Sequence, residues 1–229
     1  MVDVDLGLAN ADLLMNIQPR YTISHVLSGV RSIESVCVEG PGGIRFVPGA
    51  SGRSELADLS EFDRRNLIAQ LRRLMASTDI VVLDCGAGIS RNVTSFALAA
   101  DQVIVVTTPQ PTALTDAYAT IKSLHRARGD VSASLFVNMV NSRSEAGATY
   151  QRLAGVARRF LDYFVADVGY MLHDTAVELA VQQRCPLVLR YPDSNASACV
   201  AAMAAGLART MPGRRHNDGF LKRVAGLFA

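Results

Sequence analysis

Several features of secreted and membrane-spanning proteins are missing from this chain of 229 residues. Its four cysteines, Cys37, Cys85, Cys185 and Cys199, form no Cys-x-x-Cys pair and lie within apolar or glycine-bearing stretches. This pattern is typical of reduced core thiols in the cytosol and excludes a disulfide framework. The first residues lack the basic region and apolar run of a signal peptide, and no apolar run reaches the roughly 18 residues of a membrane span. We therefore expect a cytoplasmic protein.

The sequence also has little charge imbalance and few histidines. Lys and Arg number 23 against 21 Asp and Glu, which leaves a net charge of +2. That balance excludes the basic footprint of a duplex-binding protein, so we expect no specific nucleic-acid binding. The four histidines, His25, His125, His173 and His216, are far apart and have no metal-ligand spacing. Neither a Gly-x-Ser-x-Gly nor a Ser-x-x-Lys motif of serine hydrolases is present.

What the sequence does contain is an alternation of short β-branched runs with longer helical patterns. Such alternation predicts an α/β fold, with a mostly parallel central sheet covered by helices on both faces. Three apolar runs have the length of interior strands: 79–84, 102–107 and 134–140. Helical spacing is found at 56–75, where Ser60 and Asp63 favour a helix start, and at 92–99, 112–126, 146–164 and 196–209. Residues 35–39 and 44–47, separated by Gly40-Pro-Gly-Gly43, predict a β-hairpin.

Two groups of acidic residues follow predicted strands. Asp3 and Asp5 flank one apolar residue at a strand end, where ligands of open α/β sheets bind, although an Asp-x-Asp there is more often a turn or a cap. Asp84 ends the run Ile80-Val-Val-Leu and is followed by Gly86 and Gly88. This is the form of a Walker B segment, whose carboxylate faces magnesium, while a helix-capping Asp in a tight turn is an equal alternative.

Four motifs in this order resemble MinD/ParA-type ATPases, and most closely their flagellar-number branch, FlhG/YlxH. They are Asp3-x-Asp-Leu-Gly-Leu-Ala-Asn-Ala-Asp12, Gly40-Pro-Gly-Gly with Pro48-Gly-Ala-Ser-Gly52, Asp84-Cys-Gly-Ala-Gly-Ile-Ser90, and Thr107-Thr-Pro-Gln-Pro-Thr-Ala-Leu-Thr-Asp-Ala-Tyr118. The resemblance covers roughly residues 1–210. It implies an ATP-dependent, Mg²⁺-dependent switch that is monomeric when empty and a homodimer with ATP, and whose hydrolysis a partner stimulates. An SRP-type flagellar GTPase and flagellar basal-body components are the implied partners.

The resemblance also implies roles for individual residues. Asp5 matches the acid that positions the attacking water, and Asp3 its companion in the same segment. Asp84 matches the acid that holds magnesium through water, and Gly86 and Gly88 match the segment that senses the γ-phosphate. On the base side, Asn138 matches the asparagine that reads adenine, for which an amide has both a donor and an acceptor. Asp174 and Tyr191-Pro192 lie where the family closes the base pocket, although Leu172 replaces a proline there.

The family's phosphate-binding loop, Lys-Gly-Gly-x-Gly-Lys-Ser/Thr, does not occur in these 229 residues. Gly40-Pro-Gly-Gly43 lacks the Lys-Ser/Thr and the helix that would follow, so it is interpreted as the hairpin turn. Relative to the family the chain begins near the end of the second strand. Backbone N–H groups and lysines of the loop neutralise the triphosphate, so this chain is expected to bind ATP poorly and to be an inactive ATPase.

A separate segment at the C-terminus predicts a membrane contact. Residues 211–218 mix breakers and polar residues like a linker between a switch domain at 1–210 and an amphipathic helix at 219–229. The helix places its apolar residues on one side and its basic residues away from them: Phe220, Leu221, Val224, Leu227 and Phe228 against Lys222 and Arg223. It resembles the ending of MinD, which implies weak, peripheral docking on the anionic inner face of the cell membrane.

Three functions remain open from the sequence. Control of the number and placement of flagella is favoured by the Pro109-Gln-Pro-Thr-Ala string. Division-site control like that of MinD is the alternative within the same family. A degenerate, non-enzymatic interaction module is the third, against which the retained Asp3, Asp5 and Asp84 argue, because buried acids without a ligand lower stability.

Overall fold

A computed structural model describes residues 1–5, 8–50, 70, 74 and 77–210 of the chain. The helix expected at 56–75 lies outside the described residues except for Gln70 and Leu74, both helical, and the tail helix expected at 219–229 lies wholly outside them. The chain forms two compact units. The first contains the described residues up to 99 together with 184–186, and the second contains 100–183 and 187–210.

The first unit is built from short elements around two small sheets. In chain order these are β1 (Val2–Asp3), α1 (Ala11–Leu14), α2 (Ile23–Leu27), α3 (Ile33–Val36), β2 (Val38–Glu39), a 3₁₀ turn (Pro41–Gly43), β3 (Arg45–Phe46), β4 (Leu83–Asp84) and α4 (Arg91–Ala99). β1 and β4 are parallel, with Val2 opposite Leu83 and Asp3 opposite Asp84. β2 and β3 form an antiparallel hairpin.

Apolar burial explains why β1 lies in the middle of this unit. Val2 is fully buried, and its N–H donates to the carbonyl of Val82 at 2.9 Å. On the other side, Val2 also forms a parallel bridge with Val47. Buried side chains from α2 and α3, Ile23, Val26, Ile33 and Val36, pack with it in one core. Burying each of these side chains stabilises the fold by about 1.5–3 kcal/mol. The buried core therefore holds β1 in place, and with it the acid at the end of the strand.

The second unit has one parallel three-stranded sheet. Its elements are β5 (Val103–Thr107), α5 (Pro111–Ala127), β6 (Ala133–Val140), α6 (Arg143–Leu161), β7 (Ala166–Leu172), α7 (Thr175–Gln182), α8 (Leu187–Arg190) and α9 (Asn195–Thr210). The strand order is β5-β6-β7, and both pairs are parallel. The core forms where alternate residues of β5 and β6, such as Val105, Leu135 and Val137, meet apolar side chains of α5 and α6.

Local sequence signals fix the ends of the longer helices. Pro111 occupies the first turn of α5, where a missing N–H is tolerated. The Ser142 side chain caps α6 by accepting from the N–H of Glu145 at 3.1 Å. Asp162 ends the same helix in the left-handed conformation, with φ of 49°. These caps set the point at which the chain turns toward β7.

The α/β class and the mostly parallel pairing are confirmed, while several element assignments need correction. Residues 79–84 form a strand only at Leu83–Asp84, because the partner strand β1 is itself two residues long. Ser35 belongs to α3 instead of a hairpin strand, because Ser32 caps that helix by accepting from the Ser35 N–H. The sequence interpretation also missed β7. Within the described residues β5 is an edge strand of its sheet, and Val106 is exposed.

Candidate functional site

Asp3 is a buried acid at the end of a strand. Only 1% of the residue is exposed, and its Oδ1 accepts the N–H of Asp5 at 3.0 Å. Burial raises the pKa of Asp3, because it removes the carboxylate from water, and the negative charges of Asp84 and Asp5 raise it further. The backbone N–H groups that bond to the carboxylate lower this pKa, but by less. The Asp3 carboxylate therefore stabilises the turn at Asp5 and is also largely removed from water.

Asp84 lies beside Asp3 across the β1–β4 ladder, since the two residues are register partners. Burial and the nearby Asp5 raise the pKa of Asp84. Burial and these three acids together raise the pKa of the adjacent Cys85 thiol to about 11. Three carboxylates, of Asp3, Asp5 and Asp84, thus share one end of a small sheet in the first unit.

Two glycines make room for these carboxylates. A Cβ built on Gly86 would lie 2.8 Å from Cγ of Asp5, and one on Gly49 would lie 2.8 Å from Cγ of Asp3 and 2.7 Å from Cβ of Ala9. All three distances are shorter than real Cβ atoms allow. The role of Gly49 was missed from sequence, and the Pro48-Gly pair that marks a turn there was the available signal. Gly88 has φ of 96°, a conformation that favours glycine.

Asp84 is the member of this acidic group that could hold a hydrated cation. In the part of the chain that the structure describes, no ion pair reaches Asp3 or Asp84. The described residues also contain no group of three or more His, Cys, Asp or Glu side chains that could hold a metal ion. Burial is the main cause of the raised pKa values of Asp3 and Asp84, and repulsion between the acids adds to it. A hydrated divalent cation near Asp84 would relieve that repulsion, and Mg²⁺ typically keeps several of its waters.

The base-side residues lie in the second unit. Asn138 ends β6, and its Oδ1 accepts the N–H of Met139 at 2.8 Å. Met139 has φ of 58°, which is uncommon for a non-glycine residue. In this conformation the amide oxygen of Asn138 is engaged locally, while its NH₂ group remains a donor for a ligand.

Asp174 holds two helix starts together. One carboxylate oxygen accepts the Ala176 N–H at 2.9 Å, and the other accepts the Ala196 N–H at 3.1 Å. These bonds lower the pKa of Asp174. Pro192 lies in the loop before α9, next to Tyr191, whose carbonyl accepts the hydroxyl of Ser197 at 2.7 Å. Asp174 and the loop that contains Tyr191 and Pro192 therefore both bond to the first turn of α9.

The remaining candidate residues belong to the tail and lie outside the described residues: Phe220, Leu221, Lys222, Arg223, Val224, Leu227 and Phe228. Among the described helices, none is both long and apolar enough to cross a membrane. All four cysteines are free, as expected.

The parallel α/β arrangement, together with the solved structures that it resembles, defines the class as an α/β fold of the P-loop NTPase type. Among solved structures, the MinD cell-division ATPase of Pyrococcus furiosus superposes with a TM-score of 0.74 at 20% identity, covering 92% of this chain and 85% of that one. MinD of Pyrococcus horikoshii in complex with Mg-ADP gives 0.72 at 21% identity, over 90% and 81% of the two chains. These likenesses show the fold.

Curated relatives give the family. No protein-family model matches the chain. The antiactivator FleN of Pseudomonas aeruginosa is 37% identical over 204 residues, which span 89% of this chain and 73% of FleN. The flagellum site-determining protein YlxH of Helicobacter pylori is 36% identical over 156 residues, 68% of this chain and 52% of YlxH. The chain belongs to the MinD/ParA family of ATPases, in its flagellar FleN/YlxH branch.

Proposed function

We propose that this protein is a nucleotide-dependent switch that sets the number and placement of flagella at the cell membrane. The observation that carries the proposal is the meeting of Asp3, Asp5 and Asp84 at the ends of β1 and β4, in a chain 37% identical to FleN. Membership of the flagellar branch favours this role over division-site control.

Mg²⁺-ATP is the ligand that this arrangement supports, because the chain belongs to a family of ATPases and its acids gather at the ends of β1 and β4. Mg²⁺-ATP would supply the phosphoryl group and the cation that neutralises it. Asp5 orients the attacking water, and Asp3 fixes the backbone of that turn through its bond to the Asp5 N–H. Asp84 would hold the hydrated cation, and Gly86 and Gly88 would leave space for the backbone to approach phosphate. In the second unit, Asn138, Asp174 and Pro192 are the proposed adenine-binding residues, by resemblance to the family.

We further propose that the 229-residue polypeptide turns over ATP poorly, because its sequence contains no Lys-Gly-Gly-x-Gly-Lys-Ser/Thr loop. Backbone N–H groups and a lysine of such a loop supply most of the charge neutralisation around a triphosphate. Without them, negative carboxylates face negative phosphates. Magnesium alone offsets only part of that repulsion.

Membrane docking through residues 219–229 is the third part of the proposal. Arg214, Arg215, Lys222 and Arg223 against Asp218 alone leave a local net charge of +3. Each basic residue near an anionic leaflet contributes about 1 kcal/mol of attraction. One short helix binds weakly, so a homodimer that presents two would bind far better. A flagellar GTPase of the SRP type and basal-body components are the proposed partners.

The flagellar role is tested by complementation. A bacterium deleted for its flagellar-number regulator receives this chain fused at its N-terminus to the strand, phosphate loop and helix of a family member. Restoration of the normal flagellar count, seen by electron microscopy, is expected, and the same fusion with Asp5→Ala should leave the count abnormal. The flagellar role would be contradicted if the fusion left the flagellar count unchanged but corrected the minicell defect of a strain deleted for MinD. That result would favour division-site control.

The membrane role is tested by co-sedimentation of the chain with vesicles of phosphatidylglycerol and of phosphatidylcholine, with and without residues 219–229. We expect weak, salt-sensitive binding to the anionic vesicles that is lost on deletion. Equal sedimentation of both versions on anionic vesicles would rule out the tail as the lipid contact.

A further inference from the structure

Three side chains of the first unit gather around one aromatic ring, that of Tyr21. The guanidinium carbon of Arg31 lies over this ring, 4.3 Å from its centroid, and that of Arg20 lies 5.4 Å from the centroid. The His25 ring meets the Tyr21 ring edge-on, with 5.2 Å between the two centroids. We call Arg20, Tyr21, His25 and Arg31 the Arg-Tyr cluster. Two positive charges therefore lie near one tyrosine.

The Arg-Tyr cluster presents hydrogen-bond donors. Nδ1 of His25 accepts the Thr22 N–H at 3.2 Å, so the hydrogen of the neutral ring lies on Nε2, which can donate. The Tyr21 hydroxyl oxygen accepts from Nη2 of Arg31 at 2.7 Å, which leaves the hydroxyl hydrogen for another acceptor. A guanidinium that lies over a ring keeps N–H groups available at its edge. Together these groups favour an anion.

The charges of the cluster point to the same kind of ligand. Arg20 and Arg31 are both exposed. Among the residues that the structure describes, no ion pair involves either of them. Two like charges held near one ring repel each other, and a bound anion would replace that repulsion with attraction.

The surrounding backbone holds the members of the cluster in place. Tyr21 packs against the buried core of the first unit. The Ile23 N–H, at the start of α2, donates to the carbonyl of Pro48 at 2.9 Å. The Arg31 N–H donates to the carbonyl of His25 at 3.0 Å, which closes the turn between α2 and α3. Donors that are fixed in this way lose little freedom when a ligand binds.

We propose that the Arg-Tyr cluster binds the phosphoryl group of a phosphate monoester. Guanidinium groups bind phosphate through paired N–H donors, and the Tyr21 hydroxyl and Nε2 of His25 supply further donors. A phosphate monoester carries about 1.5–2 negative charges at neutral pH. It therefore matches two guanidiniums better than a carboxylate or a phosphodiester, each of which carries a single negative charge.

The site is separate from the residues assigned to the nucleotide. It contains none of Asp3, Asp5 and Asp84, and none of the residues of the C-terminal segment. The proposal can therefore hold or fail independently of the function proposed above.

The test is a calorimetric titration of the 229-residue chain with phenyl phosphate, and with benzoate as the carboxylate probe. We expect phenyl phosphate to bind and benzoate to bind at least about 10-fold more weakly. Arg20→Gln with Arg31→Gln should weaken phenyl phosphate binding at least about 10-fold, because charge-assisted hydrogen bonds are lost. Arg20→Lys with Arg31→Lys keeps the charge without the guanidinium fork, so its affinity should be intermediate.

Arg126→Gln with Arg158→Gln is the matched control, because it removes the same charge from exposed arginines on helices of the second unit. This variant should bind phenyl phosphate like the parent chain. The proposal is overturned if phenyl phosphate does not bind, if benzoate binds equally well, or if Arg20→Gln with Arg31→Gln leaves binding unchanged. Thermal melts check that each double variant is folded.

Vesicles that contain phosphatidic acid, whose headgroup is a phosphate monoester, identify the source of the phosphoryl group once phenyl phosphate binding is measured. Stronger sedimentation of the parent chain than of the chain with Arg20→Gln and Arg31→Gln would assign the site to a lipid headgroup. Equal sedimentation would assign it to a soluble monoester.

Discussion

Gly49→Ala perturbs the acidic site without changing any charge. A methyl group at this position would lie 2.7 Å from Cβ of Ala9, 2.8 Å from Cγ of Asp3 and 2.9 Å from its Oδ1. Non-bonded carbons normally approach to about 3.5–4.0 Å, so one side must move by close to 1 Å. Asp3 has little freedom to move, because it is buried and its Oδ1 accepts the N–H of Asp5.

The size of the effect follows from this confinement. Adding a methyl group to a well-packed interior costs about 1–3 kcal/mol. For a chain of this length, 1 kcal/mol corresponds to a change of about 2–4 °C in the melting temperature. Gly49→Ala should therefore melt roughly 2–12 °C below the parent chain. The hydrogen bond from the Asp5 N–H to Asp3 should weaken at the same time, because the carboxylate is displaced.

Thermal melts of the two chains by circular dichroism test this prediction. Gly129→Ala is the matched control, because a Cβ at Gly129 meets nothing within 4 Å, and its effect should stay within about 0.5 kcal/mol. If Gly49→Ala melts within about 1 °C of the parent chain, the close approach of Gly49 to Asp3 does not exist in solution.

Three further changes have expected outcomes. Gly86→Ala should displace the Asp5 carboxylate, whose Oδ1 accepts the Leu8 N–H. In the fusion that carries the phosphate loop, this change should lower ATP turnover by at least about 10-fold and should change the melting temperature little. Gly206→Ala on α9 should stabilise the chain by about 0.5–1 kcal/mol in a denaturant titration, because a methyl group there meets nothing; a lower midpoint would contradict this. Asp174→Ala should lower the melting temperature at neutral pH, since two helix starts lose an acceptor. Because folding lowers the pKa of Asp174, its contribution is present above about pH 4 and lost below, so parent and variant should converge in acid; a pH-independent difference would refute the role of its charge.

The sequence predicted the parts of the site that depend on local pattern. An apolar run that ends in an acid places that acid at the carboxyl end of a strand, and this holds for Asp3 on β1 and Asp84 on β4. Parallel pairing then brings the two acids opposite each other. The helices at 111–127 and 143–161 were also predictable, because their apolar spacing persists over several turns.

Other features depend on contacts that pattern does not encode. Gly49 lies 46 positions from Asp3 in the sequence, so its closeness to the carboxylate arises only in the folded chain. No residue preference indicates the bond from the Met139 N–H to the Asn138 side chain, or the uncommon φ of Met139. β7 was missed because Asp167 and Gly169 interrupt its apolar pattern.

ATP turnover by matched chains tests the central claim that the Asp3, Asp5 and Asp84 group is the magnesium side of a nucleotide site. The 229-residue chain and its fusion to the strand, phosphate loop and helix of a family member are assayed for phosphate release with Mg²⁺. The fusion should hydrolyse ATP, and Asp5→Ala or Asp84→Asn in the fusion should abolish hydrolysis, while the 229-residue chain stays at background. Hydrolysis by the fusion that survives both substitutions, or turnover by the 229-residue chain that Asp5→Ala removes, would contradict the account.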